Sequence, residues 1–450
     1  MRIKHHIRPL LRTKPLWKYV FTWALLFPMM VFAAGGEFSI QAGARNGASV
    51  GLGGGGAEAQ GERQVLIFSY FILSVLIFIS YRKVLRLAID MKALTFLPVL
   101  AILSAGWSQY PMISFVRGGY LLLDTLFVYW LLQKFSIAQL RTFVMMIGTV
   151  VAFCSIVMVI ALPRYGLVGA LSHLGAWQGI FTEKNLAGKS LAFLLTPAVD
   201  FSRRPSFYRV MYLCTILGLI AMSQSRTAWA IAAIYLLFMF LLNLARNLEY
   251  RIITLFTITV SAVLTIGFTI FISNFEAILM ALGMDPTLTG RTQVWKALLV
   301  EISARPVGGY GYQAFWSGLD GASGNVLIST GWAFAYAHNG MLEILLQLGF
   351  AGLIVVLFLL LLSVRNAWFC FRRSTDPDVS WYIGLIFLTF LYNIDEGTLL
   401  FPHALFSVLF TLACAGLIQS RRRVLRSTRE ASLAGITEAN STMQPVYASQ

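Results

Sequence analysis

Charged side chains make up only 12% of this 450-residue chain, and the acidic ones are fewest, 19 against 35 lysines and arginines. So little charge, beside 58% hydrophobic residues and a mean hydropathy of +0.74, excludes a soluble globule, which carries about a quarter of its residues charged. Cysteine is nearly missing. The four present, Cys154, Cys214, Cys370 and Cys414, lie far apart in or beside apolar runs and lack metal-ligand spacing, which excludes a disulfide or zinc framework and makes them small buried hydrophobes. No glycine-rich phosphate loop, HExxH, GxSxG or clustered His/Cys set occurs, so nothing requires a nucleotide, a metal or another cofactor. The net charge of +16 raises nucleic acid as a partner, but the positions of those charges decide against it.

What the chain does contain is apolar runs near the roughly 20 residues that cross a bilayer. Twelve are expected, at about 17–36, 64–81, 93–107, 115–133, 139–162, 186–201, 208–223, 227–246, 252–273, 339–363, 380–395 and 403–418. With a cytoplasmic N-terminus, the segments left inside hold 25 of the 35 lysines and arginines, as the positive-inside rule requires, and the excess positive charge then faces anionic inner-leaflet lipid. The expected class is an all-α polytopic membrane protein with both termini cytoplasmic. Its parts are a basic N-terminus (1–18), spans one to nine (19–273), a long external loop (274–338), spans ten to twelve (339–418) and a polar, disordered tail (419–450). The run from Trp17 to Ala34 also sketches a signal peptide, but its core exceeds the usual length of about 7–15 residues, and either reading starts the next segment outside. The nearly all-glycine stretch Gly51 to Gly56 reads as a flexible external linker.

The outside face collects an unusual polar set: Trp107-Ser108 with Pro111, Arg117, Arg164, Glu183-Lys184-Asn185, Ser225-Arg226-Thr227, Arg291, Tyr310-Gly311-Tyr312, His338-Asn339 and Asp395-Glu396. Snorkelling accounts for Arg164 and serves for Arg117. Arg226 stands in a short turn between two long apolar spans, where it either holds neighbouring carbonyls or serves a ligand. Arg291 shares a helical stripe with Trp295, Leu298 and Ile302, while Gln293 and Lys296 point the other way, so it is aimed at the membrane-domain surface, where by spacing alone a snorkelling end-of-helix arginine is slightly preferred to a ligand contact. Gly308 to Tyr312 marks a tight aromatic turn suited to ligand stacking, though such runs are common in ordinary loops. His338 precedes Asn339, a good N-cap; such a histidine is usually just a polar residue at an interface, yet a neutral imidazole at the lip of a span is placed to take a proton. Asp376-Pro377-Asp378 has the spacing of a metal-binding pair but falls inside beside Arg372-Arg373, where a solvated turn is expected.

Taken in order, Trp107-Ser108 with Pro111 and Ser114, Gly179-Ile180-Phe181 with Lys184-Asn185, Ser225-Arg226-Thr227, Gly290-Arg291 with Trp295, Pro306 with Gly309-Tyr310-Gly311 and Phe315, and Ala337-His338-Asn339 with Leu348-Gly349 and Gly352 form a series. The series resembles the O-antigen ligase and Wzy-type polysaccharide polymerase superfamily, most closely its exopolysaccharide polymerases of the succinoglycan type. It departs from the pattern at Ala228-Trp229, where a glycine is frequent. The resemblance implies a GT-C-like membrane fold and a metal-independent, inverting glycosyl transfer at the periplasmic face of the bacterial inner membrane. The donor would be an undecaprenyl-diphosphate-linked oligosaccharide, with membrane lipid, a flippase and a chain-length regulator as partners. It implies that Arg226 and Arg291 hold the diphosphate and that His338 activates the acceptor hydroxyl, with Arg117, Lys184 and Tyr312 as further contacts for lipid phosphate or sugar. The rivals are a ligase that moves finished glycan to lipid A core or protein, and a twelve-span secondary transporter. Transport is disfavoured because only Asp200 to Arg209 joins spans six and seven and no internal repeat is evident.

Overall fold

A computed structural model describes residues 27–34, 60–169, 174–246, 248, 291–318, 321–331, 336–374, 376 and 378–443. Outside these residues lie most of the first apolar run, the glycine stretch, the ninth run and the loop up to residue 290. The side chains of Arg291 and Asp395 also lie outside the description.

The described chain is helical, as expected of a polytopic membrane protein. Its main helices are α1 (Gln60–Ile79), α2 (Tyr81–Asp90), α3 (Lys92–Leu103), α4 (Pro111–Lys134), α5 (Ile137–Ala161), α6 (Lys184–Leu195) and α7 (Phe207–Met222). They continue with α8 (Arg226–Ala245), α9 (Arg291–Ala304), α10 (Ala322–Thr330), α11 (Gly340–Arg373), α12 (Val379–Asp395) and α13 (Leu405–Met443). Among the described residues α4, α5, α8 and α11 are long and apolar enough to cross a membrane, and α1 with α2 forms a further span bent by 89° if the two are one. The bend gives segment 82–92, expected inside, a structure of its own: α2 buries Val84 and Ala88 and turns Arg82, Lys83 and Arg86 outward, the pattern of a helix lying at an interface.

Local sequence explains where these helices begin. Ser136 and Gln139 form a reciprocal capping box at α5, and Asn339 Oδ1 accepts the Met341 and Leu342 N–H groups at 3.0 and 3.1 Å at α11. Aromatic pairs lock the bundle, with Phe238 of α8 stacked on Phe387 of α12 at 3.8 Å and Phe193 of α6 on Tyr392 of α12 at 5.8 Å. Cys370 and Cys414 sit in this core as expected, whereas Cys214 is exposed on α7, because an apolar face that meets lipid has no need to be covered by protein.

One helix is broken. Gly349 adopts φ +61° inside α11, which frees the backbone on both sides of the kink. The turn at 306–311 fills the break: Tyr310 N–H donates to Leu346 O at 2.8 Å and Gly311 N–H to Gln347 O at 3.0 Å. In return Phe350 N–H donates to Pro306 O at 2.8 Å and Ala351 N–H to Val307 O at 3.1 Å. Backbone groups that an apolar solvent would leave unsatisfied are thereby paired. The aromatic turn is a docking element: Tyr310 donates its hydroxyl to the Glu301 carboxylate at 2.6 Å, and neither tyrosine is open for stacking on a ligand.

Loop contacts sort the chain into two ends. At one, Arg141 of α5 meets Asp200 at 3.2 Å and Asp378 at 2.5 Å, Arg203 joins Asp378 at 3.2 Å, and Arg422 donates to Asp90 O at 2.8 Å. Asp378 is thus buried in an ion-pair network, and the solvated turn expected at 376–378 is corrected; the partners that bury it come from α5 and the 200–203 loop, far away in sequence. At the other end, Trp107 Nε1 donates to Gly308 O at 2.7 Å, Gln109 to Ala314 O at 2.7 Å, and Asn339 Nδ2 to Ile394 O at 3.3 Å.

Candidate active site

His338 lies at this second end, held on both sides. The preceding residue, Ala337, donates its N–H to Glu343 Oε2 at 2.9 Å and accepts from Trp295 Nε1 at 2.9 Å. The following residue, Asn339, caps α11. Between these anchors His338 takes φ +48°, a left-handed conformation that a non-glycine residue keeps only when its surroundings impose it. Glu343 is buried and fully engaged, since Trp316 Nε1 donates to it at 3.1 Å and Gln347 Nε2 at 2.7 Å. Its carboxylate therefore positions the histidine's backbone.

Trp295 places α9 against this segment. Leu298 and Ile302 are buried on the same stripe while Gln293 and Lys296 are exposed, as the helical spacing predicts, so α9 starts one turn before the residue that grips Ala337. Arg291 is the first residue of that helix.

The imidazole of His338 packs on the Tyr336 ring at 4.2 Å, and Tyr336 donates to Glu183 Oε1 at 3.2 Å. Next along the chain, Lys184 donates to Gln224 O at 3.4 Å, and Ser225 Oγ donates to Asn185 Oδ1 at 3.1 Å. This joins the start of α6 to the start of α8. Gly188 allows the close approach, because a Cβ there would stand 2.6 Å from the Ala228 Cβ. Lys184 and Arg226 come close enough to repel: partial burial, and then the Arg226 charge, pull the lysine's pKa below its ordinary value. Among the described residues neither cation pairs with a carboxylate, so the two offer a ready anion site.

Arg117 and Tyr312 form a neighbouring group. Arg117 Nη1 donates to Gln313 O at 3.2 Å, while Tyr312 is 0% exposed and donates its hydroxyl to Leu400 O at 2.8 Å. Gln313 N–H donates to Gln347 Oε1 at 3.2 Å, which ties this group through Gln347 to Glu343 and so to His338. Close by, Asp124 accepts from Tyr70 Oη at 3.1 Å and from the His403 N–H at 3.0 Å.

Three residues of this end escaped the sequence reading. Lys189 pairs with Glu396 at 2.9 Å and lies 4.8 Å from the Phe406 ring centre. Asp124 and Tyr336 complete the set. A lysine and an aspartate inside apolar runs are themselves a signal, since charge at bilayer depth needs a partner; Tyr336 carries no such signal.

Comparison with known proteins fits this geometry. A family described as O-Antigen ligase matches residues 211–357, a range that takes in Arg226, Arg291, Tyr312 and His338 but not Arg117 or Lys184. The chain is also 29% identical over 163 residues to the exopolysaccharide production protein ExoQ of Rhizobium meliloti (strain 1021), a match that covers 34% of this chain and 36% of that relative. The chain thus matches about a third of its relative's length. Both matches bear out the resemblance carried by the motifs, to the O-antigen ligase and Wzy-type polymerase superfamily and, within it, to proteins of exopolysaccharide production.

Proposed function

We propose that this chain is a metal-independent, inverting polysaccharide polymerase of the bacterial inner membrane, with twelve spans, cytoplasmic termini and its active site on the periplasmic side. The observation that carries the proposal is the meeting of two cations, Lys184 and Arg226, that pair with no carboxylate among the described residues, with a rigidly held histidine at the same end of the bundle. The donor is an undecaprenyl-diphosphate-linked glycan and the acceptor a sugar hydroxyl of another lipid-linked repeat unit. His338 accepts the hydroxyl proton as its oxygen attacks the anomeric carbon. The bond from that carbon to the diphosphate oxygen breaks on the opposite face, and undecaprenyl diphosphate leaves with the bonding pair. Arg226 and Arg291 hold the charge that develops on the diphosphate, Lys184 and Arg117 contact lipid phosphate or sugar, and Tyr312 supports the Arg117 side from within. A flippase delivers the donor, and a chain-length regulator acts on the product.

The same donor chemistry would serve a ligase, so the test must read the acceptor step. Lipid-linked glycans from a deletion strain, complemented with wild type or with His338→Gln, are sized by mass spectrometry. Single repeat units should accumulate both in the deletion and with His338→Gln, at equal protein level. Long unattached lipid-linked chains would instead assign a ligase, and an unchanged profile would exclude both.

A further inference from the structure

The end of α11 opposite His338 carries a cavity of about 500 Å³, walled by Arg365, Trp368, Phe369, Arg372 and Arg373 of α11 and by Arg421 of α13. Four of these six residues are arginines and none is acidic. Basic residues are ordinary at the inner end of a membrane helix, where they snorkel toward water and phosphates. Here, however, two of them converge on a single ring. The guanidinium of Arg373 lies 5.1 Å and that of Arg421 5.2 Å from the centre of Phe369. Arg421 is steered there by the buried Asn366, whose Oδ1 accepts from Arg421 Nη1 at 3.1 Å. The Nε of Arg421 is buried and lacks a hydrogen-bond partner among the described residues. An aromatic face offsets only part of the repulsion between Arg373 and Arg421, and an anion beside them would relieve the rest. Planar guanidinium forks match the paired oxygens of a phosphate better than they match a spherical anion.

We propose that this cavity binds a phosphate-bearing anion and that its occupant is the head group of an anionic phospholipid. A second cavity supports the lipid source over a free phosphate. An apolar groove of about 720 Å³ between α8, α11 and α12, with Leu242, Leu361, Val364 and Phe371 among its walls, shares Trp368 with the arginine cavity. A ligand with a charged head and an apolar chain can fill both at once, whereas a soluble phosphate uses one. The site is independent of the glycosyl transfer proposed above, which lies at the other end of the molecule.

The test uses the full-length protein in micelles containing equal parts of phosphatidylcholine and phosphatidylglycerol, with bound lipids counted by native mass spectrometry. Wild type should retain phosphatidylglycerol in preference to phosphatidylcholine. Arg373→Gln with Arg421→Gln should lower that retention by roughly tenfold or more, the worth of a lost charge-assisted hydrogen bond. Phe369→Leu keeps every charge and should lower it by about two- to fivefold through the lost ring alone. That single change keeps the test decisive if the double variant fails to fold. In parallel, inorganic pyrophosphate is titrated calorimetrically into protein in phosphatidylcholine nanodiscs. Saturable pyrophosphate binding that the variants abolish, with no lipid preference, would overturn the lipid source. Equal phosphatidylglycerol retention in wild type and Phe369→Leu, without pyrophosphate binding, would overturn the site.

Discussion

Lys184 and Arg226 are a pair of cations that the protein brings together at a cost, and that cost sets a pH dependence. Partial burial and the neighbouring guanidinium lower the lysine's pKa, so it loses its proton at a lower pH than an exposed lysine, whose ordinary value is about 10.4. Only the protonated form attracts a diphosphate. Donor affinity should therefore fall as pH rises through the lowered pKa. Lys184→Gln should weaken binding of undecaprenyl diphosphate by roughly tenfold at neutral pH and remove the alkaline fall, as read by a binding titration in nanodiscs. An alkaline fall that survives Lys184→Gln would belong to another group. At this scale the sequence was informative wherever a residue is placed by its neighbours in the chain. Asn339 caps the helix that follows His338, and the stripe of Trp295, Leu298 and Ile302 follows from helical spacing. Tyr312 shows the opposite case. Its type and its place in a glycine-rich turn suggest ligand contact, yet Ser104 just after α3, Ser114 of α4 and Leu400 enclose it, and no local pattern encodes them.

Among the elements, α11 is the one on which the site depends, because its broken turn receives the 306–311 segment. A side chain at Gly349 would have to tolerate φ +61° and would press on the carbonyl groups of Pro306 and Val307. Gly349→Ala should destabilise the purified protein by about 1–3 kcal/mol from backbone strain alone. Gly218, on α7, meets nothing within 4 Å of where a Cβ would stand, and Gly218→Ala should leave stability level or raise it by up to about 1 kcal/mol. Thermal melting in one detergent compares the two; matching melts would mean that the turn is not docked in the kink. The motif residues Pro306, Gly309 and Gly349 are all visible in the sequence, but their mutual hydrogen bonds are not. Helical periodicity describes an unbroken α11, and only the conformation of one glycine says otherwise.

For the whole molecule, the apolar runs made the class legible, and the charge asymmetry divided the connecting segments into two sets. The contacts respect that division. Arg141, Asp200, Arg203 and Asp378 all come from segments assigned inside, while Trp107, Gly308, Gln109 and Ala314 come from segments assigned outside. With the native cysteines replaced, Ile328→Cys in α10, where Ile328 is 84% exposed, should react with an impermeant thiol reagent in intact cells. Labelling only after lysis would invert the orientation and move the proposed chemistry to the cytoplasm. The docking of 306–311 into α11 has a consequence for biogenesis. The ribosome makes the turn before it makes the helix whose free carbonyl and amide groups the turn satisfies. In the orientation proposed above, the kinked segment thus reaches the translocon with its partner already across. Membrane integration of α11 and docking of the 306–311 turn become a single step, which a nascent chain cut before residue 351 cannot complete.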